Sequence, residues 1–198
     1  MSKKILKRLP QCFFGLFLCG IGLAFTVEAK LGLNPWDVLH DGFSQLINVR
    51  IGFAGVITGF IVLLGWIPLK QKPFLGTILN ILTIGNVLDL TMYFIPTPQE
   101  IWIRHIYLYF GTVLFAMGVG IYIGSGLGPG PRDGIMTGIA KRGPSVRATR
   151  IGIDFTAFLT GVLLGGSYGY GTIFMVIVVG PIVQFSLKRY DKGAIFSL

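Results

Sequence analysis

Long apolar runs alternate with short polar breaks along the whole chain. A helix needs about 17–25 mostly apolar residues to cross a bilayer. Six runs reach or approach that length: about 11–28, 51–69, 74–95, 104–124, 150–166 and 169–187. The run at 150–166 is the weakest, because it is short and begins "TRIGID". The pattern predicts an all-α membrane protein with six transmembrane helices, forming a single membrane domain over residues 1–198.

The order of small and apolar residues recurs about halfway along the chain. A shift of 96 positions places "LGLNPWD", residues 31–37, on "LGPGPRD", residues 127–133. Shifts of 100 and 95 align two further strings, "RIG" and "GTI", with second copies of themselves. Matching pairs include Gly15 and Gly111, Gly22 and Gly118, Pro35 and Pro131, and Asp37 and Asp133. We therefore predict two repeats, one over about 11–95 and the other over about 104–187.

Each repeat contains three predicted spans, which is an odd number. The second copy must then enter the membrane from the side opposite to the first, as in many secondary transporters. This predicts inverted repeats related by a pseudo-two-fold axis in the membrane plane. The basic and then apolar N-terminal segment has the form of a signal peptide. Because it aligns with the internal fourth span, we expect it to be retained as a helix.

The positions of Lys and Arg predict which loops are cytoplasmic, since such loops carry an excess of basic residues. With the N-terminus inside, fourteen of the 17 basic residues fall on the inner side and three on the outer side. The fourteen are Lys3, Lys4, Lys7, Arg8, Lys70, Lys72, Arg132, Lys141, Arg142, Arg147, Arg150, Lys188, Arg189 and Lys192. The outer three are Lys30, Arg50 and Arg104. We predict a multi-pass protein of the cytoplasmic (inner) membrane, with both termini cytoplasmic.

Composition agrees with a membrane protein. The chain is 53% hydrophobic and 13% charged, and its mean hydropathy is +0.73. Soluble domains carry about 25% charged residues. The net charge of +9 could indicate nucleic acid, but we reject that partner because the basic residues lie between apolar runs. Cys12 and Cys19, both in the first run, have no metal-site or disulfide spacing, so buried thiols are expected.

The two repeated strings have two interpretations, and the sequence leaves both open. In the first, Asn34 or Gly130 caps a short helix, Pro35 or Pro131 occupies its first position, and Asp37 or Asp133 lies in its first turn. In the second, both short helices are broken or re-entrant helices after the first span of each repeat and frame a solute pathway. The candidate pathway residues from these strings are Asn34, Pro35, Asp37, Pro131, Arg132 and Asp133.

Two further carboxylates lie within predicted spans. A carboxylate at that depth usually faces the bundle interior or water. Asp89, near Asn86, is the better pathway candidate, and the alternative for it is an interhelical hydrogen bond. For Asp154 we expect an ion pair with Arg150, one helical turn away.

Two Gly-xxx-Gly pairs occupy matching spans, "GVITG" at 55–59 and "GVLLG" at 161–165. Such pairs let helices approach closely. We favour packing within the chain, while a homodimer interface remains the alternative.

The strings "LGLNPWDVLHDGFS" and "SGLGPGPRDGIMTGIAKR", each after a Gly-rich span, resemble the YczE/YitT-like family of small bacterial integral membrane proteins. The resemblance covers nearly the whole chain, and Gly128, Gly130, Pro131, Asp133 and Gly138 carry its most specific part. Asn34 stands where Gly is expected, so the first repeat is the looser match. The resemblance implies a multi-pass membrane protein, for which transport has been proposed, and it implies no substrate.

The favoured function is a small-solute transporter or exporter that works by alternating access between inverted repeats. The alternatives are a passive channel and a non-transporting accessory or regulatory membrane protein. We do not expect an enzyme, a cofactor or a metal site. The histidines are His40 and His105, and the sequence has no nucleophile–base pattern, zinc spacing or phosphate loop. The expected partners are the lipid bilayer and an unknown small solute.

Overall fold

The computed structural model describes residues 3–140, 142–143 and 146–193, and these residues form eight helices. The first repeat contains α1 (Lys3–Glu28), α2 (Pro35–Ile47), α3 (Ile51–Leu64) and α4 (Leu75–Phe94). The second contains α5 (Ile101–Gly124), α6 (Pro131–Ala140), α7 (Val146–Leu163) and α8 (Tyr170–Tyr190). Lys141, one of the basic residues used to predict orientation, lies outside the described residues. The all-α prediction is confirmed for the described part of the chain.

The short helices α2 and α6 begin where the sequence predicts. Pro35 and Pro131 each occupy the first helical position, where proline's missing N–H costs nothing. No side-chain cap bond forms at Asn34, which contradicts a capping role for its amide. At the other end of α2, Asn48 adopts a left-handed conformation (φ 54°) and stops the helix. The chain then turns by 106° into α3.

Four of the described helices are long and apolar enough to cross a membrane: α1, α4, α5 and α8. The bent pair of α2 and α3 together forms a fifth candidate. Helix α7, at the weakest predicted span, is not among them, and its 18 residues include Arg147, Arg150 and Asp154. The predicted number of six spans therefore stays a prediction.

Helices α1 and α5 form the centre of the bundle and pack on each other through glycines. A Cβ built on Gly15 would lie 2.7 Å from the Gly118 carbonyl oxygen, and one built on Gly22 would lie 2.6 Å from that of Gly111. Because the earlier glycine of one helix meets the later glycine of the other, the two helices run antiparallel. Helix α4 packs on α1, and α8 packs on α5. Beside this centre, α2 packs against α7 and α3 packs against α6.

Hydrogen bonds gather the helix ends into two groups at opposite ends of the bundle. At one end, the Gly171 N–H donates to the Leu31 carbonyl at 2.9 Å. At the other end, the Gly76 N–H donates to the Leu127 carbonyl at 2.7 Å, which is the matching contact of the repeat. The second end also holds the start of α1 and the segment after α8, because the Arg8 guanidinium donates to the Lys192 carbonyl at 2.7 Å.

Large apolar side chains cover the outer faces of the helices. Those that are more than half exposed include Phe14, Leu90, Phe94, Trp102, Phe155, Leu163, Ile173 and Phe185. Soluble monomers rarely expose so extensive an apolar surface. The outward apolar faces are those of a protein surrounded by lipid.

Both Gly-xxx-Gly pairs pack within the chain. A Cβ on Gly161 would lie 2.4 Å from the Leu39 backbone nitrogen of α2. Cβ atoms on Gly55 and Gly59 would meet His40 of α2 at 3.3 Å and Ile81 of α4 at 3.0 Å. These contacts agree with the favoured interpretation of the two pairs.

Candidate functional site

The beginnings of α2 and α6 face one shared cavity of about 150 Å³ near the middle of the bundle. The first repeat contributes Asn34 and Asp37 to its lining, and the second contributes Pro131, Arg132 and Asp133. These two segments are 96 positions apart and match in the repeat. The structure therefore brings together five of the eight predicted pathway residues.

The first repeat places two strongly buried polar side chains at the cavity. Asn34 is 8% exposed and Asp37 is 4% exposed. Among the described residues, the ion-pair contact of Asp37 is His40, whose Nδ1 lies 3.4 Å from Oδ1. Pro35 is buried and starts the helix, so its contribution is to the backbone rather than to the cavity lining.

The second repeat presents a positive and a negative group side by side. The Nε atom of Arg132 lies 3.8 Å from Oδ1 of Asp133. The Tyr122 hydroxyl of α5 donates to Oδ2 of the same carboxylate at 3.4 Å. Arg132 and Asp133 therefore neutralise each other within one turn of α6.

Asp154 of α7 joins the two repeated segments. The Trp36 indole N–H donates to its Oδ1 at 2.9 Å, and Arg132 Nη1 lies 3.6 Å from the same oxygen. The predicted pair with Arg150 also forms, with Arg150 Nε 3.7 Å from Oδ2. Sequence reasoning found only that local pair. Trp36 and Arg132 occupy matching positions of the sequence repeat, and this match was the available signal of a shared partner.

Tight packing fixes the position of each segment. The Trp66 indole N–H donates to the Pro131 carbonyl at 2.8 Å, and its ring lies directly under Gly134. In the matching place of the other repeat, a Cβ on Gly166 would lie 2.1 Å from the Val38 carbonyl oxygen. One repeat thus packs the large Trp66 ring against Gly134, whereas the other brings the backbones of Gly166 and Val38 into close contact.

The two predicted residues of α4 lie apart from the cavity lining. Asp89 accepts the N–H groups of Gly52 and Phe53 at 2.8 and 3.0 Å, which caps the start of α3. The Asn86 side chain is exposed and donates to the Leu82 carbonyl of its own helix. The alternative interpretation of Asp89, an interhelical hydrogen bond, describes its position. The polar residue that α4 does contribute to the cavity is Asn80, which was not among the predicted pathway residues.

Apolar side chains make up most of the remaining wall: Leu23, Ile51, Ile81, Ile84, Leu88 and Phe115. A mostly apolar cavity with a few convergent polar groups is the usual form of a small-molecule site. The arrangement suits a small solute that carries charge or hydrogen-bonding groups at one end.

Comparison with known proteins gives the same class of molecule. Residues 6–188 match a family of unknown function, DUF6198. An uncharacterized protein of Haemophilus influenzae is 36% identical over 183 residues, which cover 92% of this chain and 84% of the relative. The uncharacterized membrane protein YczE of Bacillus subtilis is 34% identical over 193 residues, covering 96% and 89%. A second B. subtilis protein, YyaS, is 23% identical over 185 residues, covering 90% and 91%. No solved structure matches the chain.

Proposed function

Since the chain belongs to the DUF6198 family and is a YczE-like membrane protein, we propose that it is a small-solute transporter that works by alternating access. In this proposal six spans form two inverted repeats in the cytoplasmic membrane, and both termini are cytoplasmic. The short helices α2 and α6 re-enter the membrane from opposite sides. The proposal requires no enzymatic step, cofactor or second copy of the chain.

The observation that carries the proposal is the shared cavity. Two matched segments, one from each repeat, enter it together and meet at Asp154. In transporters built from inverted repeats, solute sites lie at the interface of the repeats and are formed by broken helices.

A difference between the two repeats supports the movement that alternating access needs. In the first repeat α3 packs tightly on α4: a Cβ on Gly52 would lie 2.0 Å from the Gly85 carbonyl oxygen. The matching glycines of the second repeat are Gly152 of α7 and Gly180 of α8. A Cβ on either of them would meet no atom of the described residues within 4 Å. The same seam is therefore closed in one repeat and open in the other.

This asymmetry indicates how the two states would interconvert. In the second state α7 packs on α8 through Gly152 and Gly180, while α3 separates from α4. Gly52 lies at the outer end of α3 and Gly152 near the inner end of α7 in the proposed orientation. In the present state the cavity then opens toward the cytoplasm. In the second state, which we call the exchanged state, the cavity opens toward the outside.

Access to the cavity from each side tests the proposal without knowledge of the solute. The reporter is Asn80→Cys, read by a membrane-impermeant thiol reagent applied to intact cells and to inverted vesicles. The parent chain is the background control, because Cys12 and Cys19 are fully buried. We expect labelling from both sides, because the protein alternates between the two states. Labelling from one side only, under all conditions, would contradict alternating access and favour an accessory protein.

A variant that blocks the exchanged state separates a transporter from a channel. Gly152→Leu fits the open seam of the present state but would collide with α8 in the other state. We expect it to fold normally and to abolish labelling of Asn80→Cys from the outside only. Ile151→Phe, which adds bulk at the adjacent and 60% exposed position, is the matched control and should label as the parent does. Unchanged labelling of Gly152→Leu from both sides would favour a passive channel.

A further inference from the structure

The cavity combines a buried carboxylate, which no permanent cation of the described residues contacts, with a titratable partner and aromatic walls. We propose that it binds a small monovalent organic cation at Asp37, in exchange for one proton held by the Asp37–His40 pair. This inference rests on the proposed transport function and names its solute class and coupling ion.

The charges around the cavity are unequal. Three carboxylates belong to the network: Asp37, Asp133 and Asp154. Two permanent cations belong to it, and both serve the second repeat. Arg132 contacts Asp133 and Asp154, and Arg150 contacts Asp154. The count leaves one negative charge in excess. Among the described residues Asp37 has His40 as its ion-pair contact, whereas Arg132 contacts Asp133 and Asp154 and acts on Asp37 only from beyond contact distance.

Burial makes this surplus charge costly. The Asp37 residue is 4% exposed, and a charged side chain within a membrane protein is normally paired or faces a functional cavity. The start of α2 offsets part of the charge through the helix dipole. Asn34, 8% exposed, also lines the cavity, and its side chain makes no cap bond to α2. The Asp37 carboxylate and the Asn34 amide together favour a ligand that carries one positive charge and N–H donors.

The walls favour an organic cation over a metal ion. Hard metal cations require about six oxygen ligands, whereas most of the residues that face this cavity are apolar. Trp36 and Tyr122 line the same cavity and provide π faces that attract cations. An apolar cavity of about 150 Å³ is large enough for a molecule the size of benzene. The solute should therefore be an amine of roughly that size, since Arg132 is already occupied by two carboxylates and is not free for an anionic end.

The Asp37–His40 pair supplies the coupling. Without the organic cation, one proton on this pair neutralises the surplus charge. When the organic cation binds, it neutralises the surplus charge instead, and the proton is released to water. The net charge of the cavity is therefore unchanged. The other titratable or charged groups that line the cavity with the pair are Tyr122 of α5 and Arg132 and Asp133 of α6. Asp154 of α7 connects to them through Arg132, and Arg150 lies beside Asp154. Asp41, next to His40, is engaged by the Ser167 N–H at 2.7 Å.

Three probes of one shape test the charge requirement: benzylammonium, benzyl alcohol and benzoate. Each is added to the purified full chain in lipid nanodiscs, and binding is measured by calorimetry. We expect benzylammonium to bind and the neutral and anionic probes to bind at least about 30-fold more weakly, because a buried charge pair is lost. Comparable binding of all three probes, or no binding of benzylammonium, would overturn the inference.

Variants of the carboxylate locate the site. Asp37→Asn should weaken benzylammonium binding by about 30-fold or more, and Asp37→Glu should retain most of it. Glu100→Gln makes the same chemical change at an exposed position and should bind as the parent does. Equal binding by Asp37→Asn and the parent would place the cation elsewhere and overturn the assignment to Asp37.

Proton release tests the exchange and stays informative if the variants fold poorly. Calorimetry of the parent chain in buffers of different ionisation enthalpy should report about one proton released per benzylammonium bound. Binding should weaken as the pH falls, by up to about tenfold per pH unit, because protons compete with the organic cation for the pair. Binding without proton release would overturn the exchange. Labelling of Asn80→Cys from both sides does not depend on these probes, so it can support alternating access even if the cation inference fails.

Discussion

Asp89 illustrates how a single carboxylate inside a span can serve the fold rather than a pathway. Its side chain is 6% exposed, and its two oxygens accept two backbone N–H groups that α3 cannot satisfy internally. Arg50, 80% exposed, lies 3.9 Å away and adds little, since exposed ion pairs are screened. Asp89 therefore ties α4 to the start of α3 at the closed seam.

We expect Asp89→Asn to reduce the free energy of unfolding by about 1–2 kcal/mol, because a charged acceptor shared by two donors is replaced by a neutral one. Unfolding in detergent, followed by circular dichroism, measures the change. Asn86→Ala, on an exposed side chain of the same helix, should change stability little. Unchanged stability of Asp89→Asn together with lost benzylammonium binding would instead return Asp89 to the pathway.

The candidate site was partly predictable at the level of residues. The repeat predicted Asn34, Asp37, Pro131, Arg132 and Asp133, because residues kept at matched positions of two copies stand out against a variable apolar background. The roles of His40, Tyr122, Asn80 and Asp154 could not be predicted. These roles depend on which faces of the helices meet at the centre of the bundle. The local sequence around a single residue does not show that.

Helix packing at the level of elements depends on where glycine allows two backbones to approach. The α1–α5 contact uses the matched glycines of both repeats, and the earlier glycine of each helix faces the later one of the other. This reciprocal pattern is what a two-fold axis between the helices would produce.

We expect Gly22→Ala to destabilise the protein by about 1–3 kcal/mol, because the added Cβ would lie 2.4 Å from the Phe115 backbone nitrogen and force the helices apart. Thermal unfolding in detergent measures the effect. Gly152→Ala makes the identical change at the open seam and should raise stability by about 0.5–1 kcal/mol, as expected for Ala in place of Gly in a helix. Equal effects of the two substitutions would mean that the α1–α5 seam is not tightly packed.

Helix α7 explains why its span was the weakest in the sequence. Arg150 and Asp154 interrupt its apolar pattern, and both belong to the charge network around the cavity. The polarity that weakens the hydropathy signal is thus placed on the side that meets α2 and α6.

The molecule as a whole has a defined end-to-end arrangement. Arg8 binds the backbone beyond α8, so the start of α1 and the end of α8 lie at the same end of the bundle. At the opposite end the Thr97 hydroxyl bonds the Glu28 carboxylate. The structure places the start of α1 and the end of α8 together. The distribution of Lys and Arg predicts the side of the membrane on which they lie.

We expect Lys72→Cys to be protected from a membrane-impermeant thiol reagent in intact cells and Gln99→Cys to be labelled, because these exposed positions lie at opposite ends of the bundle. Inverted vesicles should reverse the result. The opposite pattern in both preparations would show that the termini face outward.

The sequence by itself determined the helical class, the membrane environment, the two breaks at the proline-containing strings and the match between the halves. These properties follow from local quantities: the length of apolar runs against bilayer thickness, the fixed φ of proline and the spacing of small residues. Only the tertiary structure decided that the two breaks face one cavity, that Trp36 and Arg132 meet at Asp154, and that the α7–α8 seam is open while the α3–α4 seam is closed. Contacts between residues about 100 positions apart depend on how helices cross and pack, and two copies of one pattern can pack in two ways.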